Sequence, residues 1–164
     1  MTNLEEITSI AALLAATQWK WNQSSIEAIL ASMGWQQHDS LPYRDDYSGF
    51  KNFEASVYKE DHSPFQIEID IEVYLDVDEL DARQFENKID EFKDKFFRTT
   101  EAIANSLGKP NFSDSFAASG FPDDQDAVYL TLWNLNTARL MLQLKNEGRE
   151  IPIRLTLVVA SISL

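Results

Sequence analysis

The chain has 164 residues, 44% of them hydrophobic, with 27 acids against 14 Lys and Arg for a formal charge of −13. That length holds one domain with a real core, and ten Phe in that apolar content exclude a disordered acidic tail. The charge argues against nucleic acid or an anionic membrane as a direct partner, and the lack of cysteine excludes disulfides, thiol catalysis and Cys-ligated zinc.

The first ten residues, MTNLEEITSI, carry acids where a signal peptide needs bases, and no apolar run reaches transmembrane length. A cytoplasmic protein is the expectation. Asn3 caps a first helix, with Glu5 and Glu6 at the positive end of its dipole. Leu4, Ile7, Ile10, Ala11 and Leu14 follow helical spacing and form its apolar stripe. A second helix starts at Ser24 or Ser25, buries Ile26, Ile29, Leu30 and Met33, and stops at Gly34. Trp19, Trp21 and Trp35 either close the core at the helix ends or stack on a ligand.

Gln36 to Asn52 is polar and turn-rich and reads as a loop, with a short strand around Trp35–His38. Phe53–Tyr58 alternates, Lys59–Pro64 turns, and Phe65–Asp78 alternates again, which predicts an antiparallel hairpin. From Asp81 the period changes: Phe85, Ile89, Phe92, Phe96, Ile103 and Leu107 predict a long helix ended by Gly108 and Pro110. Its other face mixes Glu86, Lys88, Asp90, Glu91, Lys93, Asp94 and Lys95, as a solvated face with local ion pairs does. Asn111–Asp126 reads as a loop. Three strand-like runs close the chain, Val128–Trp133, Ala138–Lys145 and Ile151–Ile162, with turns at Asn134–Thr137 and Asn146–Gly148. The expected architecture is a single α+β domain of order α-α-β-β-α-β-β-β, its helices on one face of a mostly antiparallel sheet.

No nucleophile, P-loop or dinucleotide motif is present. His38 and His62 lie in polar turn-like segments with no partner fixed by a motif. Asp76, Asp78 and Asp81 fail the EF-hand pattern, because Leu80 stands where a ligand is needed and Asp81 where glycine is needed. Asp123, Asp124 and Asp126 are a common turn composition. No metal, cofactor or catalytic residue is expected.

The clearest surface is Ile67–Asp78, IEIDIEVYLDVD. A strict period of two puts Ile67, Ile69, Ile71, Val73, Leu75 and Val77 on one face of a strand. Glu68, Asp70, Glu72, Tyr74, Asp76 and Asp78 fall on the other. From Glu68 to Asp81 there are seven acids and no Lys or Arg. Two answers to this charge stay open. Arg139, Lys145 and Arg154 stand opposite in parity to the leucine stripes of the meander and can pair with it from inside the fold. A basic protein partner can also be drawn to it. The proposed contact set is Glu68, Asp70, Glu72, Tyr74, Asp76 and Asp78, rimmed by Glu79, Asp81, Asp123, Asp124 and Asp126.

With a helix ending in ILASMGW, a late LGKPNFSDSF loop and a closing meander of AVYLTLW, TARLMLQL and IPIRLTLVVA, this small acidic chain resembles the immunity proteins of bacterial polymorphic toxin systems, of the contact-dependent and type VI kinds. The resemblance implies a non-enzymatic inhibitor that binds a cognate toxin domain in the cytoplasm, often a nuclease with a basic cleft. It supplies no catalytic residues. A cytoplasmic secretion chaperone, also small, acidic and α+β, is the first alternative. A small ligand-binding domain or enzyme using the tryptophan region is the second.

Overall fold

Two helices, α1 (Leu4–Ala16) and α2 (Gln23–Ser32), open the computed structural model, in which residues 3–146 and 151–162 are described. Asn3 caps α1 by accepting from the Glu5 amide at 2.8 Å. Asn22 caps α2 by accepting from Ser25 at 2.9 Å, which starts that helix earlier than a serine cap would. Ile7, Ile10, Ala11, Leu14, Ile26 and Leu30 are buried, so the expected stripes face the core.

Eight strands follow: β1 (Gln36–Leu41), β2 (Arg44–Ser48), β3 (Glu54–Glu60), β4 (Ser63–Tyr74), β5 (Phe112–Ser115), β6 (Tyr129–Asn134), β7 (Arg139–Lys145) and β8 (Ile153–Ala160). Between β4 and β5 come a short 3-10 turn, Val77–Glu79, and the long helix α3 (Ala82–Leu107). The strands form one antiparallel sheet in the order β1-β2-β3-β4-β8-β7-β6-β5. Two meanders therefore meet at β4 and β8, in the middle of the sheet. The α3 helix carries the chain from there to the far edge. Its Phe92, Phe96, Thr99 and Ile103 are buried. They close a core over Ile67, Ile69, Leu140, Leu142, Leu155 and Leu157.

The α+β class and the one-sided helical layer are as the sequence predicts, and the eight expected elements occur in the expected order. Three strands lie beyond that order: β1 takes in part of the short strand expected around Trp35–His38 and runs on to Leu41, and β2 and β5 lie inside segments read as loops. β1 is exposed along almost its whole length and is held by pairing with β2, so no apolar alternation marks it. In β2 the inward positions are Asp45 and Tyr47, and a buried carboxylate breaks the hydrophobic pattern. β5 has four residues, too short for a period to show. The turn expected around Asn146–Gly148 lies mostly outside the described residues.

The tryptophans close the core. Trp19 and Trp35 are 3% and 4% exposed. Trp19 stacks on Trp21 with centroids 5.7 Å apart, and Trp35 packs on Phe50. The Trp19 and Trp21 ring N–H groups donate to the carbonyls of Leu14 and Thr137.

Candidate functional site

The alternating stretch does not form one comb. On β4, Asp70 stands opposite Thr156 and Glu72 opposite Leu155, which leaves Ile71 as an extra residue in a β-bulge. The bulge reverses the parity. Glu68 and Asp70 stay on the face away from the helices, while Glu72 swings under α3 and ion-pairs with Lys95. Tyr74 follows it to the helix side, where the Lys88 ammonium sits 4.6 Å from its ring.

Glu68 and Asp70 are answered from within the sheet. Arg154 lies 3.6 Å from Glu68 and 3.2 Å from Asp70, and Lys145 lies 3.9 Å from Glu68. Gln66 donates to Glu68 and Thr156 to Asp70. Glu68 and Lys145 are buried. Of the three cations expected to neutralise the comb, Lys145 and Arg154 do so. Arg139 instead clamps Asp124 through two hydrogen bonds, of 2.9 and 2.6 Å. These bonds outweigh burial and hold the Asp124 carboxyl below its ordinary value.

The rest of the stretch points outward. Val77, 1% exposed, anchors the 3-10 turn in the core. Around it Asp76, Asp78, Glu79 and Asp81 are exposed, beside Leu75 at 69%. Asp81 caps α3, accepting from Gln84 at 2.8 Å. Among the described residues none of these four acids lies in an ion pair.

Residues 116–128 form a strap between β5 and β6 that crosses the helix-free face. Phe121 packs on Phe112 over a small second core of Leu130, Leu132, Met141, Val158 and Ala160. Gln125 ties the strap down by donating to Gln66 and accepting from Gln143, both at 2.9 Å. Lys145 donates to the Asp126 carbonyl at 3.2 Å. Asp123 and Asp126 remain exposed and, among the described residues, have no ion-pair partner. Both line a cavity of about 660 Å³ with Phe116, Phe121 and Asn146.

Strand register puts the turn after β4 and the return of the strap into β6 at one end of the sheet. Tyr74 pairs with Ile153, Lys145 with Arg154, and Tyr129 with Leu144. The 3-10 turn after β4 and the return of the strap into β6 thus flank the β7–β8 connection. Three strand spacings separate them, roughly 14 Å. Leu75, Phe116 and Ile151 are exposed there at 69%, 67% and 41%.

Of the sequence-predicted contact set, Asp76, Asp78, Glu79 and Asp81 stand exposed in the turn after β4, and Asp123 and Asp126 stand exposed in the strap. Glu68, Asp70, Glu72, Tyr74 and Asp124 are engaged inside the fold. Leu75, Phe116 and Ile151 were missed, because nothing in their sequence neighbourhood separates an exposed apolar residue from a buried one. His38 lies 3.3 Å from Glu54 on β3, both exposed, and His62 sits in the β3–β4 turn. Among the described residues no group of three His, Cys, Asp or Glu is placed to hold a metal, and no helix is long and apolar enough to cross a membrane. Comparison with protein-family models, curated proteins and solved structures found no match.

Proposed function

We propose that the chain is a non-catalytic binding protein that neutralises a basic protein partner, an immunity protein for a bacterial toxin domain, through the acidic end of its sheet. One observation carries this reading: the four carboxylates Asp76, Asp78, Glu79 and Asp81, without ion-pair partners among the described residues, crowd one short turn beside the exposed Leu75. Unpaired like charges gathered in one place repel each other in the free protein, and a cationic surface relieves that repulsion. Their field speeds encounter, and the apolar side chain among them then buries area that water-exposed acids alone do not offer. A nuclease with a basic substrate cleft is the toxin class whose field matches, and the cytoplasm of the producing cell is where inhibition is needed.

The test is co-expression with the toxin domain encoded beside this gene. The D76K/D78K variant should lose protection and associate at least about tenfold more slowly, with an unchanged melting temperature. Full protection by that variant overturns the assignment of this surface. Failure of the wild-type protein to protect overturns the function.

A further inference from the structure

We propose that the strap of residues 116–128 is a releasable cover and that the buried Glu68 carboxylate is its latch. The strap lies over the apolar cluster of the helix-free face, Leu130, Leu132, Met141, Val158 and Ala160, all of it buried. Its own apolar grip is slight. Phe121 packs on the cluster half-buried, while Phe116 is 67% exposed. Polar ties therefore hold much of the strap, and two of them start at Glu68.

The first arm is a one-way relay of side-chain amides. Gln66 donates to Glu68, Gln125 of the strap donates to Gln66, and Gln143 donates to Gln125, each at 2.9 Å. An ionised carboxylate only accepts, so Gln66 turns its NH2 group toward Glu68 and its oxygen toward Gln125. The same choice passes to Gln125 and ends at Gln143. Gln143 is 0% exposed, and its Oε1 atom has no hydrogen-bond partner among the described residues. An orphan acceptor is costly, yet turning that amide over would set its oxygen against the Gln125 oxygen. The stranded atom thus fits a direction imposed from the Glu68 end.

The second arm is ionic. Lys145, 3.9 Å from Glu68, donates to the Asp126 carbonyl at 3.2 Å. One carboxylate therefore reaches two successive strap residues, Gln125 and Asp126. Arg154, 3.6 Å from Glu68, completes the charge balance and is shared with Asp70. The Arg139–Asp124 clamp does not pass through Glu68. Loss of the Glu68 charge removes both what orients the relay and what positions Lys145. The strap then opens as a local unit while the sheet beneath it stays folded.

The inference is tested on the intact protein by native-state hydrogen exchange read by NMR. The Phe121 and Gln125 amides of the strap, which donate to the Ala118 and Pro122 carbonyls, are compared with the amides of β7. Gln66→Met breaks the relay without changing a charge and should speed exchange at both strap amides by about tenfold, with β7 as in the wild type. Glu68→Gln should speed them at least as much, relative to β7, because both arms lose their anchor. Asp70→Asn also takes a carboxylate from Arg154 but leaves the relay whole, and should leave the strap protected. Wild-type strap rates in Gln66→Met or in Glu68→Gln, an equal rise in Asp70→Asn, or strap and β7 accelerated by the same factor in Gln66→Met each overturn the proposal.

Discussion

Asp70 and Glu72, two residues apart on one strand, lie on opposite faces of the sheet: Asp70 pairs with Arg154 across the strands, and Glu72 with Lys95 on α3. The extra residue Ile71 produces this by inserting into the β4–β8 ladder, and its own side chain is 5% exposed against the helices. A double-mutant cycle between Glu72 and Lys95, read by urea denaturation, should give a coupling of about 0.5–1 kcal/mol, the range of a partly exposed pair. The cycle between Glu72 and Arg154 should give none. Coupling to Arg154 would place Glu72 on the other face.

Asp45 is a charge inside the fold. It is 1% exposed and accepts from Lys59 at 2.8 Å, Gln23 at 2.9 Å and Ser40 at 2.7 Å. Burial pushes its carboxyl up, but these hydrogen bonds outweigh burial and hold it below its ordinary 3.8. A depressed folded-state value means that the contribution is present above pH 3.8 and is lost as pH falls through the lower folded value. Asp45→Asn leaves the Lys59 ammonium, 7% exposed, without its carboxylate, and should cost about 3–5 kcal/mol at neutral pH. The gap between variant and wild type should narrow on acidification below pH 3.8. A constant gap would show that the carboxylate charge is not what matters.

Tyr47, 3% exposed, has a buried hydroxyl without a hydrogen-bond partner among the described residues. Burial, with Asp45 and Glu27 nearby, pushes its phenol up to about 12 from 10.0. A raised value means that the stabilising contribution is intact below pH 10.0 and is lost as pH rises through about 12. Tyr47→Phe removes an unsatisfied polar atom and should stabilise the protein by about 1 kcal/mol at neutral pH. Its advantage should widen above pH 10.0, and a UV difference titration of the wild type should show a late tyrosine ionisation that Tyr47→Phe removes. A loss of stability in the phenylalanine variant would mean that the hydroxyl has a partner in solution.

Local signals were enough for the elements whose burial follows their period. The α1 stripe, the 26-residue α3 between its Asp81 cap and Gly108, the β3–β4 hairpin and the β6–β8 meander all bury one regular face, and regular burial writes itself into the sequence. β2 and β5 were hidden because a charge pair occupies β2 and β5 is brief, and β1 showed only as a short strand around Trp35–His38 because pairing, not an apolar face, holds it.

The acidic stretch divides along the same line. Its composition determined that seven carboxylates come without a local cation, and that the protein must answer them from elsewhere. Which ones are answered inside the fold was decided by two tertiary facts. The pairing of β4 with β8, about ninety residues later in the chain, sets Arg154 against Glu68 and Asp70. The bulge at Ile71 sends Glu72 to α3. A period of two predicts faces only while the ladder stays regular, and an inserted residue leaves no mark in the alternation itself. The acids after the strand keep their charge open to solvent because Val77 anchors the turn and leaves them no strand to pair with.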